Sequence, residues 1–331
     1  MPEYYVVGGR QRKNAFATEA WRSYAKGIIG KFDPATGKSE VCVEYVSPPE
    51  VCADDEPAIL FKAATVVGDR MYVCTETEVI VYRLPEFEQL HYVSLPCFND
   101  VHHVRPTPDG HLVVVSTGLD MVVKVSLEGE LLEEWSVVDE EPWARFSKDV
   151  DYRKVPSTKP HRSHPNHVFY LGDDLWVTRM VQKDALCLSD RSRRINVAVQ
   201  YPHDGVVFGD EVFFTTVAGH VVRADAASGA VRQVVDLNRI ERGVRKLGWC
   251  RGILPLDSRH VLVGFSRLRM TKQSENLTWA GGVRMLKNAV RRPSRVALYD
   301  LEEQAIRWHF DLEPLDIAAV FSMHEVASAA Q

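Results

Sequence analysis

Short apolar runs folded around a Gly-Asp or Asp-Gly pair recur along the chain, and this repeat restricts the fold more than any other feature. Residues 63–73 place two runs around Gly68-Asp69. Residues 104–115 repeat the plan around Pro108-Asp109-Gly110, residues 168–177 around Gly172-Asp173, and residues 206–214 around Gly209-Asp210. A degenerate copy at 253–263 turns near Asp257-Ser258. Such pairs between β-branched runs signal hairpins. The inner runs carry few charges, as expected of strands buried on both faces.

Each hairpin is followed by a third run and in most units by a fourth. These are 79–82 and 91–93, 121–125 and 131–135, 185–188 and 195–199, 220–224 and 231–235, and 295–299 and 305–310. Four strands per unit at a period of about 40 residues is the pattern of propeller blades. Five units are explicit, and a sixth can be assembled from both ends of the chain. Residues 4–7, 27–32 and 40–46 supply three strands, and the lone apolar run 317–321 supplies the innermost one. Closure by both termini removes the open sheet edge that invites aggregation. The expected architecture is an all-β, six-bladed β-propeller forming one domain over residues 1–331. Five blades with terminal additions, or seven, are the competing counts.

Composition narrows the class. The chain is 45% hydrophobic and 26% charged, which excludes disorder, collagen and coiled coil. Forty basic against 45 acidic residues give a net charge of -5, so no global electrostatic footprint for nucleic acid exists. No apolar stretch reaches the roughly 18 residues of a membrane span, and the first residues do not read as a signal peptide. The six cysteines are widely spaced without a C-x-x-C pair. They read as reduced thiols in a cytoplasmic protein with no membrane partner.

Two insertions break the rhythm. Residues 136–163 separate the third and fourth blades, and residues 267–293 lie inside the sixth, carrying seven basic residues against the one acid Glu275. Ordered loops of this length are more often functional than idle, so both are expected to act as lids over the channel mouth.

The unusual residues fall just before the first strand of each blade, the strand that lines the channel of a propeller. Two positions before the apolar anchor stand Lys62, His102, Asn166, Asp204 and Arg251; one position before stand Ala63, His103, His167, Gly205 and Gly252. A structural strand has no reason to carry a polar group at this register in five blades. Buried polar groups are costly unless satisfied by one another, water, a metal or a ligand. Histidines from separate blades suit a transition metal, with zinc or iron foremost, and His102, His103, His167 and His203 are the expected ligands. Strand alternation lets only one of His102 and His103 face inward on a regular strand. Arg251, Lys62 and Arg267 concentrate cations near the mouth, and Arg forks match carboxylate, sulfate or phosphate. A small anionic substrate is the inference, with Lys62, Asn166, Asp204, Arg251 and Arg267 binding it.

At these residues the chain resembles six-bladed propellers of the NHL-like group. His164-Pro165-Asn166-His167-Val168 resembles the His-x-Asn-x-Val strand of bacterial arylsulfate sulfotransferases, and His203-Asp204-Gly205 resembles their His-Asp element. That resemblance implies a metal-free transfer with His164 or His203 as nucleophile and Arg251 as the sulfate anchor. The chain is also similar to the peptidyl-hydroxyglycine amidating lyases and streptogramin lyases. The former hold a zinc by histidines of separate blades, which implies His102 or His103, His167 and His203 as ligands here. The leading expectation is a metal-dependent lyase or hydrolase acting on a small anionic substrate. Sulfotransferase-like transfer and a non-catalytic binding propeller are the alternatives. Oligomeric state cannot be read from the sequence.

Overall fold

The computed structural model describes residues 2–13, 23–241, 247–267 and 293–327. Among the described residues lie six four-stranded antiparallel sheets. The closing blade pairs β24 (Ala319–Glu325) with β1 (Tyr4–Gln11), followed outward by β2 (Tyr24–Phe32) and β3 (Ser39–Tyr45). The second blade is β4 (Thr65–Val67) to β7 (Glu88–Val93), with β5 (Arg70–Cys74) and β6 (Val79–Arg83) between them. The third runs from β8 (Val101–Pro106) through β9 (Leu112–Ser116) and β10 (Met121–Val125) to β11 (Leu131–Ser136). The fourth comprises β12 (Pro165–Leu171), β13 (Asp174–Arg179), β14 (Asp184–Cys187) and β15 (Arg194–Asn196). The fifth holds β16 (Val206–Phe208), β17 (Glu211–Thr216), β18 (His220–Asp225) and β19 (Val231–Asp236). The sixth holds β20 (Trp249–Pro255), β21 (His260–Ser266), β22 (Arg295–Asp300) and β23 (Ala305–Asp311).

The six-bladed expectation holds, and so does closure by both termini, with β24 beginning two residues later than the run 317–321. The innermost strands touch their neighbours around the ring, from β4 to β8, β12, β16, β20 and β24. The last gap is crossed by the Ala64 N–H, which donates to Ser322 Oγ at 3.0 Å.

The hairpins form for a local reason. Gly68, Gly172 and Gly209 each open a two-residue loop with φ near 60°. A glycine at positive φ in that place gives the turn whose twist matches paired strands. The core then forms between blades. One apolar cluster joins blades two and three through Cys74, Val81, Val114 and Val123. Another joins blades five and six through Phe213, Val221, Val263 and Phe265. Equivalent clusters fill the remaining interfaces. Both faces of a blade are therefore buried, which explains why its inner runs read as continuous apolar segments rather than alternating ones. The outermost strands alternate with solvent, as in β23 and β19. All six cysteines are free. No helix among the described residues is long and apolar enough to cross a membrane.

The insertion at 136–163 lies across the end of the ring where the innermost strands begin. Tyr152 donates its N–H to the Pro96 carbonyl at 2.8 Å, and Asn99 Nδ2 donates to the carbonyls of Tyr152 and Val155, each at 2.8 Å. Lys154 reaches the Pro49 carbonyl at 2.6 Å and Asp54 at 2.8 Å, on the connection between the first two blades. Of the insertion at 267–293, residues 268–292 lie outside the described residues.

Closure can be tested at Gly8, where a Cβ would collide with the Ala319 carbonyl across the β1–β24 pair. Gly8→Val should cost about 3 kcal/mol or more, as overpacked buried sites do. Chemical denaturation checks this; an unchanged midpoint would show that the terminal strand is not needed to close the ring.

Candidate functional site

The polar positions that precede the innermost strands come together at one mouth of the channel. Lys62 Nζ donates to Glu76 at 3.1 Å and to Asp100. Asp100 Oδ1 also lies 3.1 Å from His102 Nε2, and His102 Nδ1 lies 2.7 Å from Asn166 Oδ1. Asn166 donates its amide to the Pro202 carbonyl at 3.1 Å. Asp204 accepts from the Thr215 hydroxyl and, at 2.9 Å, from the Gly252 N–H. Residues from blades two to six thus satisfy one another in the interior, as buried polar groups must. Arg267 behaves differently. It is partly exposed and pairs with Glu313 at 3.6 Å, with no hydrogen bond to this network among the described residues.

The four histidines expected as one ligand set occupy two levels. His103 and His167 stack face to face, with ring centroids 3.6 Å apart. His103 Nδ1 accepts from the Val168 N–H at 3.2 Å. Its Nε2 donates to Thr65 Oγ1 at 3.0 Å, because that hydroxyl is itself spent on the Val104 carbonyl at 2.8 Å. Both His103 nitrogens are therefore committed, and the ring keeps no lone pair for a metal. His167 Nδ1 is buried without a partner. His102 and His203 belong to the other level, where their ring centroids lie 5.9 Å apart.

His203 is set up differently from the rest. Its Nδ1 lies 3.4 Å from Asp204 Oδ1, and its Nε2 is buried with no hydrogen-bond partner. Asp204 is clamped by Thr215 and Gly252, so the carboxylate orients the ring rather than following it. Phe321 of β24 packs against His203 with centroids 6.0 Å apart, and the Arg251 guanidinium lies 5.0 Å from the same phenyl ring.

A loop from the insertion completes the mouth. Asp120, only 2% exposed, accepts the N–H groups of Arg162, Ser163 and His164 at 2.8–3.0 Å and also binds Arg145. This one carboxylate folds the segment over the ring. His161 Nδ1 and His164 Nδ1 then lie 2.7 Å apart, and the His164 ring meets His102 edge-on at 4.9 Å. Asp100, Asp120 and His164 all hold left-handed backbone angles, with φ of 49°, 52° and 54°. Such strain persists only where surrounding contacts over-determine it. From sequence, Asp100 and Asp120 read only as carboxylates that could pair with arginine, His161 as one member of the histidine-rich run 161–167, and nothing singles out Glu76.

Burial sets the protonation of the cluster. It pushes His102 down to about 3, aided by the Lys62 charge. It pushes His167 down to about 3 and His324 to about 4, and holds His103 and His164 well below the ordinary imidazole value. Burial also lowers His203, against the pull of Asp204. Burial works against the Asp100 carboxylate, but the Lys62 ammonium and the His102 contact together outweigh it and hold the group well below the usual carboxylate range. Burial raises Glu76 to about 7. At neutral pH the mouth therefore presents neutral imidazoles around a carboxylate–ammonium pair.

The fold and this site define a six-bladed β-propeller with a cluster of buried histidines at one end of its axis. No family model matches the chain, and no curated protein does. Among solved structures, a protein of unknown function from Bacteroides caccae superposes with a TM-score of 0.59 at 13% identity, over 98% of each chain. A chain of a nidogen/laminin complex gives 0.57 at 8% identity over 97% of each. A catalytically inactive virginiamycin B lyase from Staphylococcus aureus, with quinupristin, gives 0.45 at 13% identity over 71% of this chain and 69% of that one. Similarity at these identities is similarity of fold.

Two outcomes follow from this geometry. Asp120→Ala should cost about 3 kcal/mol or more, since it leaves Arg145 and three N–H groups without their acceptor. It should also speed hydrogen exchange at residues 158–165, and unchanged exchange there would show that Asp120 does not fasten the loop. Acid should destabilise the fold early. His167 faces His103, Arg105, His203 and Asp204 and is held neutral in the folded chain, as is His324. An unfolded imidazole takes its proton near pH 6.5, so stability is complete above that value. It is lost as pH falls toward 3 to 4. Thermal melts from pH 7 to 4 should show a falling Tm, and His324→Gln should flatten the slope.

Proposed function

We propose that the protein is an enzyme acting on a small anionic substrate at the channel mouth, by hydrolase or lyase chemistry, with His203 as the general base. The observation that carries this reading is the His203 Nε2 atom, buried and without a partner, backed at Nδ1 by a clamped Asp204. An imidazole that donates Nδ1–H to a fixed carboxylate keeps its Nε2 lone pair for a substrate proton. The carboxylate then stabilises the imidazolium that forms. A proton taken from water gives hydrolysis; one taken from carbon gives elimination.

Substrate anchoring falls to Arg251. Lys62 is paired with Asp100 and Glu76. The Arg251 charge lies close enough to His203 to help lower its pKa. A planar guanidinium held over Phe321 and Trp249 suits a carboxylate, sulfate or phosphate. The same unpartnered Nε2 supports a second reading, group transfer through a covalent His203 adduct, as the arylsulfate sulfotransferase resemblance implies. His164 shares its Nδ1 contact with His161 and fits the nucleophile's role less well.

The test is turnover of a panel of aryl sulfates, phosphate monoesters, lactones and carboxylate-bearing esters. His203→Ala should lower kcat/KM by about 100-fold or more, and Asp204→Asn should do the same by releasing the tautomer. Arg251→Met should raise KM. Full activity in His203→Ala would overturn the proposal. A sulfo or phospho adduct on His203, seen by mass spectrometry, would select transfer over general-base catalysis.

A further inference from the structure

Three side chains that this proposal does not use converge at the same mouth. Asp100 opens the third blade, whereas His161 and His164 come from the loop that Asp120 fastens. One ligand atom from each lies within 4.8 Å of the other two. The two Nδ1 atoms of His161 and His164 are 2.7 Å apart. Ligands around a tetrahedral ion with bonds of 2.0–2.1 Å lie about 3.4 Å from one another, so shifts of about an ångström bring these atoms to that spacing.

The hydrogen-bond ledger around these groups is short of donors. His161 Nε2 meets Thr158 Oγ1 at 3.3 Å, and that hydroxyl is already donated to the Gly118 carbonyl. His161 therefore keeps its proton on Nε2 and presents a lone pair at Nδ1, directed at His164. A second shortage lies beside it. Asn166 spends its amide N–H on Pro202, so its oxygen faces His102 and must receive the Nδ1 proton. A neutral His102 then turns its Nε2 lone pair toward Asp100 Oδ1, 3.1 Å away. The Lys62 ammonium on the same Asp100 oxygen offsets part of the repulsion between this lone pair and the carboxylate, and a metal ion held by both would turn the contact into a bond.

The geometry points to a divalent transition-metal site formed by Asp100, His161 and His164, with His102 Nε2 beside Asp100 able to complete the set. Two imidazoles and one carboxylate favour zinc or iron(II) over magnesium or calcium, whose sites are built of oxygen. The set differs from the one expected from sequence: His103 has no lone pair to give, and His167 stacks on it. A metal here would pin the insertion to the propeller, because two ligands belong to the loop and one to the blade. It would sit at the same mouth as His203, where it can polarise a substrate oxygen or activate water. The site does not depend on His203 being the base.

The experiment is metal binding to full-length protein without an affinity tag, stripped with chelator. Zinc is followed by calorimetry and elemental analysis, and cobalt(II) by its visible absorption. One equivalent should bind, and cobalt should show the bands of a four- or five-coordinate N/O site. His161→Ala, on the partly exposed loop, and Asp100→Asn should each weaken binding by roughly 100-fold. His103→Ala and His203→Ala should leave it intact. Wild-type protein that binds less than a tenth of an equivalent overturns the proposal, whatever the variants do. So does binding that survives His161→Ala. An imidazolium at His102, seen by nitrogen NMR in metal-free and zinc-treated protein alike, would show that a proton bridges His102 and Asp100 and would also overturn it. Metal retained by a His203→Ala protein that has lost turnover separates the two proposals. Metal absent from an active wild type would reject this one alone.

Discussion

Burial of both faces of every blade is the constraint from which the rest of the structure follows. Each interface is filled by apolar side chains from two adjacent sheets, so no blade can be removed without exposing the faces of its neighbours. The ring must therefore close, and β24 pairing with β1 closes it. Polar side chains between blades are admitted only in closed pairs, as where Arg179 meets Asp184 and Arg295 meets Glu241; the others need the axis. They collect along the axis, where they must satisfy one another or bind something.

The channel mouth shows how that requirement is met and where it is left unmet. Lys62, Asp100, His102, Asn166 and the Pro202 carbonyl form a continuous chain, and Asp204 joins the fifth blade to Gly252 of the sixth. His203 Nε2 and His167 Nδ1 stand out against this background, buried without partners. Unsatisfied groups inside an otherwise satisfied network are where a substrate, a proton or a metal ion gains most from binding.

Much of the site was legible because the repeat supplied a register. Aligning the blades brought Lys62, His102, Asn166 and Asp204 into one column, and these residues do share the mouth. The reading misled where it pooled histidines of two neighbouring columns into one ligand set. His102 and His103 are adjacent, yet alternation on β8 sends the second into a stack with His167 and into hydrogen bonds with Thr65 and Val168. Lys62 reads as a free cation in sequence. Asp100 and Glu76, which balance it, stand 38 and 14 residues further along the chain.

The sequence by itself determined the number of blades, the closure by both termini and the end of the ring at which histidines gather. Each of these rests on short-range pattern, namely a turn pair between apolar runs and a fixed offset before them. Tertiary structure alone decided which nitrogen of which histidine remains available. That choice depends on partners brought in from other blades, such as Asn166 for His102 and Asp204's clamp on His203. It also depends on Asp120, which carries His161 and His164 over the mouth through three backbone N–H groups. Lone-pair direction is set by the hydrogen bonds already made, and no spacing along the chain records those.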